Sequence, residues 1–151
     1  MTDSTRTKGA AKRKRTASDS TTDSGGGGAT ATRQKVFVRD LTVSAHLGVT
    51  ARERARAQRI RVNVEAEVDP VRPLDDDPRR IVDYRHIVPN IRRLIDEDQP
   101  QLLETLADRI AASTFADDAA VACVRVRIEK LDRYSDAAGI GVEVEHRRDR
   151  G

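Results

Sequence analysis

From Lys35 onward the chain alternates apolar and polar positions. Val36 and Val38 share one parity, and Leu41, Val43, Ala45 and Leu47 continue the alternation on the other. Successive strand side chains point to opposite faces, so a parity switch within one run predicts a β-bulge near Arg39-Asp40. Gly48 closes the run, and ARERARAQ (51–58) reads as a charged connection or a short helical turn. Ile60, Val62, Val64, Ala66 and Val68 then alternate with Arg59, Arg61, Asn63, Glu65 and Glu67, the pattern of an antiparallel strand with one dry face. DPVRPLDDDP (69–78) is a loop rich in Pro and Asp. Ile87, Val88, Ile91, Leu94 and Ile95 predict a helix ending near Asp98, before Pro100. Pro89 suits only a first helical turn, so this helix either begins near Val88 or kinks there. A second helix is predicted over about 101–114, where Leu102, Leu103, Leu106, Ala107, Ile110 and Ala111 share one face. The third strand covers 121–130, with Val124, Val126 and Ile128 opposed to Arg125, Arg127 and Glu129. GIGVEVEHR (139–147) supplies the fourth, with Ile140, Val142 and Val144 on one side.

The order is β-β-α-α-β-β, which predicts an α+β fold with two helices on one face of a four-stranded antiparallel sheet. The other face is polar along the second strand. A long sheet with alternating charge and open edges invites pairing with copies of itself, so a homo-oligomer is expected.

Composition changes this picture mainly at the N-terminus. Of 151 residues, 37% are hydrophobic, enough for one modest core of Val, Ile, Leu and Ala. The formal net charge of +3 is unevenly spread. Residues 1–34 hold seven of the 28 basic residues but only three of the 25 acidic ones, so the remainder is close to neutral. With Gly25 to Gly28 as an uninterrupted run, residues 1–34 read as a disordered basic and Gly-rich tail, and 35–148 as the folded domain. Lys12-Arg13-Lys14-Arg15 offers a weak, salt-sensitive contact to nucleic acid or another anionic surface; a solubilising tail is the simpler account. No apolar run approaches the roughly 18 residues of a membrane helix, and the charged start lacks the apolar core of a secretory signal. A soluble cytoplasmic protein is the expectation, with no membrane partner.

Candidate chemistry is sparse. Cys123 is the one cysteine, in an apolar strand where a buried, inert thiol is expected. His46, His86 and His146 share no ligand spacing, so no zinc site is expected. There is no phosphate loop, no dinucleotide fingerprint and no nucleophile elbow. Asp75-Asp76-Asp77 reads as a solvated loop rather than a cation site. What remains are ionisable residues at structural joints: Glu53 after the first strand, Tyr84 in VDYRHI, Glu104 at the start of the second helix and Lys130 at the end of the third strand. Glu104 has two readings: a first-turn acid favoured by the helix dipole, or the acceptor for the donor edge of a flat heterocycle.

Taken together, LGVTARERARAQRIRVNVE, IVDYRHI, LLETLADRIA and VRIEK followed by GIGVEV resemble, in order and spacing, the dihydroneopterin aldolase family. The resemblance runs from about Val36 to Arg147 and rests on Gly48, Glu53, Gln58, Asp83-Tyr84, Leu103-Glu104 and Lys130. It implies the tunnelling fold (T-fold), with sheets joined side by side into a tetrameric ring and two rings stacked as an octamer. It also implies sites between subunits that use neither metal nor organic cofactor. The reaction implied is retro-aldol cleavage of 7,8-dihydroneopterin on the route to folate. In that reading Lys130, Tyr84 and Glu53 are catalytic, while Glu53, Tyr84, Leu103 and Glu104 bind the pterin. Glu104 pairs with its amino and ring N–H groups, and Tyr84 comes from the adjacent subunit. Two departures stand out. Leu131 follows Lys130 where the aldolases usually have proline, and KLDRYSDAAG looks more like the sister dihydroneopterin triphosphate 2′-epimerases. Leu47 also precedes Gly48 where the family usually has His, and His46 stands one position earlier. Outside the family, the remaining reading is a non-catalytic ring-forming protein that binds nucleic acid through its tail.

Overall fold

A computed structural model describes residues 33–71 and 73–149. All of them belong to one compact unit; the disorder expected of 1–34 lies outside the described residues but for Arg33 and Gln34, and Gln34 already belongs to the first strand. Strands β1 (Gln34–Ala45), β2 (Gln58–Val68), β3 (Val121–Lys130) and β4 (Ile140–Arg147) form one antiparallel sheet in the order β1-β2-β3-β4. A one-turn helix α1 (Ala51–Arg54) interrupts the β1–β2 connection, and α2 (Ile87–Asp98) and α3 (Leu103–Asp117) link β2 to β3. This is the α+β arrangement that the alternation predicted.

The bulge is where the parity switches. Val38 pairs with Val64 and Leu41 with Val62, leaving Arg39-Asp40 as the irregularity. Asp40 takes φ 56°, and its amide donates to Asn63 Oδ1 at 2.9 Å, so the disrupted ladder keeps that donor satisfied. Pro89 is the third residue of α2, within the turn whose amides have no intrahelical acceptor, so the proline removes no helical bond. A 3-10 turn, Tyr84–His86, precedes it, and the Asp83 carboxylate accepts from the Arg85 amide at 3.0 Å.

The core lies between the sheet and the two long helices. Ile60, Val62, Val64 and Ala66 of β2 and Val124, Val126 and Ile128 of β3 are fully buried against Ile91, Leu106 and Ile110. Burial thins toward both edges: Val36, Val38, Leu41 and Val43 of β1 and Val144 of β4 are only partly covered, and Ile140 is exposed. The opposite face carries paired charge, with Lys35–Glu65 at 3.0 Å, Arg61–Glu129 at 3.0 Å and Arg127–Glu143 at 2.7 Å bridging neighbouring strands. Cys123 lies on this face, between Glu67 and Arg147 in the register; it is buried, and desolvation pushes its thiol pKa up. Among the described residues no helix is long and apolar enough to cross a membrane.

Candidate active site

The site grows from the turn after β1. Leu47 is buried and fixes the chain, and the Gly48 amide donates to the Gln101 carbonyl at 3.0 Å, tying this turn to the start of α3. Gly48 has φ +146°, and a Cβ there would stand 2.3 Å from Glu53 Cβ. Only glycine accepts both the backbone and the close approach. Thr50 and Glu53 then close α1 as a capping box. Thr50 Oγ1 accepts from the Glu53 amide at 3.2 Å, and Glu53 Oε2 accepts from the Thr50 amide at 3.2 Å. Gln58 secures the far side of the loop, donating to the carbonyls of Leu47 at 2.5 Å and Glu53 at 3.2 Å.

The other carboxylate oxygen, Glu53 Oε1, meets Lys130 Nζ at 3.0 Å, with 16% of the lysine side chain exposed. Lys130 is the last residue of β3, so a rigid strand end and a capped helical turn hold the two charges together. The Lys130 ammonium first, and the Thr50 amide and hydroxyl next, hold the Glu53 carboxyl down to about 2.

Across from this pair stands the start of α3. Leu103 and Glu104 are its first two residues, and no side chain caps its first amides. Glu104 is exposed and makes no hydrogen bond or ion pair among the described residues. A carboxylate in this position is favoured by the helix dipole and is still free to accept from a ligand. Glu53, Leu103, Glu104 and Lys130 line one cleft of about 300 Å³, together with Gly48, Val49, Gln101, Leu102, Arg133, Tyr134, Ile140, Gly141 and Val142. Gly141 permits that closeness: opposite Glu129 in the ladder, a Cβ there would fall 1.7 Å from the Ile128 carbonyl oxygen.

Four of the five residues singled out in the sequence therefore share one cleft. Tyr84 does not line it; the ring is exposed on the 3-10 turn ahead of α2. Conversely, the cleft contains Gln101, Arg133 and Tyr134, which sequence reasoning did not single out. Arg133 Cζ lies 5.8 Å from the Tyr134 ring centroid. The signal for Arg133 and Tyr134 was the departure KLDRYSDAAG, the segment they belong to; Gln101, just ahead of α3, had none. Among the described residues no group of three or more His, Cys, Asp and Glu side chains is arranged to hold a metal ion. The histidines are apart: His46 Nδ1 is 2.8 Å from the Arg54 carbonyl, and His146 Nε2 is 2.8 Å from Asp108.

Residues 36–145 match the family model of the dihydroneopterin aldolases (FolB). No curated protein matches the chain significantly. Among solved structures, the Burkholderia thailendensis dihydroneopterin aldolase bound to guanine is 33% identical, with a TM-score of 0.66 over 78% of this chain and 93% of that one. A Vibrio cholerae protein assigned as a dihydroneopterin aldolase is 27% identical, with a TM-score of 0.69 over 76% and 98%. The Escherichia coli dihydroneopterin aldolase in complex with neopterin, at 22% identity and a TM-score of 0.65 over 75% and 98%, shares the fold. The chain belongs to the dihydroneopterin aldolase family of lyases.

Proposed function

We propose that the protein cleaves 7,8-dihydroneopterin by a retro-aldol reaction, giving 6-hydroxymethyl-7,8-dihydropterin and glycolaldehyde for folate synthesis. One observation carries this reading: an unpaired Glu104 on a helix start and a Lys130–Glu53 ion pair line the same cleft. Glu104 accepts two hydrogen bonds from the amino and ring N–H groups of the pterin. The Burkholderia relative binds guanine, which presents the same amino-oxo-pyrimidine edge. Leu103 forms the adjoining wall. Lys130, acting through a water, takes the proton of the 2′-hydroxyl. The C1′–C2′ bond then breaks, the aldehyde leaves, and the electron pair runs into the C=N bond of the dihydropterin ring. Return of a proton to C1′ gives the hydroxymethyl product. Glu53 orients Lys130 and the side-chain hydroxyls. Because the substrate's own C=N bond is the electron sink, this route calls on neither a metal nor an organic cofactor.

A second reading, 2′-epimerisation, is favoured by one feature: Leu131 and the following segment bring Arg133 and Tyr134 into the cleft wall. An epimerase performs the same bond cleavage and re-adds the aldehyde to its other face. Product analysis with dihydroneopterin and its triphosphate offered separately decides the matter. Glycolaldehyde release supports the aldolase, and an uncleaved epimer supports the alternative.

The same reading carries an assembly. The partly covered apolar side chains of β1 and β4 support sheets joined edge to edge into a tetrameric ring, with two rings stacking as an octamer. Tyr84, exposed away from its own cleft, would then serve the neighbouring subunit's site, stacking on the ring or passing a proton. Residues 1–34 act as a dispensable tail to a catalytic domain of 35–148, and the cytoplasm is the location this route implies.

A further inference from the structure

Seven large hydrophobic side chains stand exposed among the described residues, and four of them, Val49, Leu102, Tyr134 and Ile140, line the cleft that holds Glu104 and Lys130. Exposed apolar surface gathered in one polar cleft marks a place that a ligand covers. Tyr134 is the aromatic member, and the sheet sets its position. Beyond Lys130 the ladder continues for one more residue, because the Leu131 amide donates to the Arg59 carbonyl at 3.1 Å. A proline at 131 would have no N–H to give. The Arg59 guanidinium then grips the next residue, with Nε 3.1 Å and Nη2 2.5 Å from the Asp132 carboxylate, and holds that carboxyl below its ordinary range. One arginine thus fixes a backbone amide and a side chain on consecutive residues, and the two residues that follow, Arg133 and Tyr134, are in the cleft wall. There Arg133 Cζ lies over the Tyr134 ring, 5.8 Å from its centroid.

A carboxylate such as Glu104 reads the edge of a heterocycle and leaves its two faces in water. An aromatic ring in the same wall covers a face, and stacking of this kind accepts any flat ring but loses contact with a puckered one. We propose that Tyr134 is a specificity-determining residue that packs on the face of the bound pterin and selects flat rings over saturated ones. This inference rests on the pterin reading of the cleft and deepens it with a residue of the chain's own site. Flatness matters to the reaction. A pterin with its C6=N5 bond has a trigonal C6, which keeps the side chain in the ring plane, and the same bond is the electron sink. A 5,6,7,8-tetrahydropterin has a tetrahedral C6, a puckered ring and no sink. Tyr134 thus turns away the reduced ring that would fill the cleft without reacting.

Calorimetric titration of the full chain provides the test. Guanine serves as a flat ring without a side chain, and neopterin is compared with 5,6,7,8-tetrahydroneopterin under anaerobic conditions. Tyr134→Ala should weaken guanine binding about five- to 100-fold, the range of one lost base–aromatic stack. It should also bring the affinities for neopterin and tetrahydroneopterin closer together, while Tyr134→Phe keeps them apart. Leu131→Pro removes the amide bond to Arg59 and should lose part of the guanine affinity. Combined with Tyr134→Ala it should cost little more, because both changes act through one ring. Unchanged guanine affinity in Tyr134→Ala overturns the proposal. So does a loss that appears only when sedimentation shows an assembly coming apart, since the ring would then be covering another copy of the chain. Full additivity of Leu131→Pro and Tyr134→Ala overturns the part of Leu131 in placing the ring. A turnover assay with 7,8-dihydroneopterin separates the two readings. Tyr134-dependent guanine binding without cleavage sinks the cleavage reading and keeps the aromatic wall, and cleavage with Tyr134-independent binding does the reverse.

Discussion

In the proposed mechanism Lys130 and Glu104 divide the work of the cleft, and their substitutions should fail in different ways. Lys130→Ala should lower turnover about 100-fold or more, the usual contribution of a positioned acid–base group, while pterin binding persists in a direct titration. Glu104→Ala should weaken pterin binding roughly tenfold to 100-fold, because a bidentate contact to a charged acceptor is lost. Normal turnover in Lys130→Ala would sink the mechanism even with the family intact. Glu53 carries a pH signature. Its carboxyl is held at about 2 rather than the ordinary 4.5, so its ion pair stabilises the fold fully above the ordinary value and is lost as pH falls through about 2. Urea unfolding of the wild type and Glu53→Gln should therefore differ at pH 7 and converge near pH 2; a constant gap would mean that the charge is not what matters. At this scale the sequence was informative at structural joints, where Lys130 on a strand end and Glu104 on a helix start do line one cleft. It was silent on Arg133 and Tyr134, because an irregular loop has no period from which the direction of a side chain follows.

Elements were more legible than residues. The alternation in β2 and β3 fixes which face is dry, since a slip of one position would bury five charged or polar side chains of β2. The bulge at Arg39-Asp40 was visible for the same reason, and Pro89 marked the start of α2 because a later position would have cost a hydrogen bond. The close approach of β4 to β3 was not legible, because a glycine in a strand signals a bend, a bulge or a contact equally well. Gly141→Ala tests it. With the new methyl directed at the Ile128 carbonyl, β4 must shift, and a loss of about 1–3 kcal/mol in unfolding free energy is expected, together with a widened cleft and weaker pterin binding. Wild-type stability in that variant would show that the strand ladder yields more easily than its geometry implies.

For the whole molecule, the sheet edges and the tail set the questions. Ile140 is 48% exposed and β1 is only half covered, so the isolated chain leaves apolar edge surface in water. Sedimentation of the purified protein should give a tetramer or an octamer, and a monomer at micromolar concentration would remove the ring from the account. Deleting residues 1–34 should leave turnover unchanged. If instead the deletion abolished a steeply salt-dependent binding to nucleic acid, and no pterin were turned over, the tail would be the working part. The polar face of β2 pointed to self-association, but single-chain periodicity carries no information about what would stand opposite Tyr84 in a ring.

A four-residue helix cannot sustain itself in water, and α1 stays closed through the carboxylate that also grips Lys130. Under the proposed mechanism, folding and chemistry therefore draw on one side chain. A survey ranking variants by abundance would file Glu53 under scaffolding, and one ranking them by product would file it under catalysis. Warming should erode both together, because the loop that opens is the same one that aims the amine.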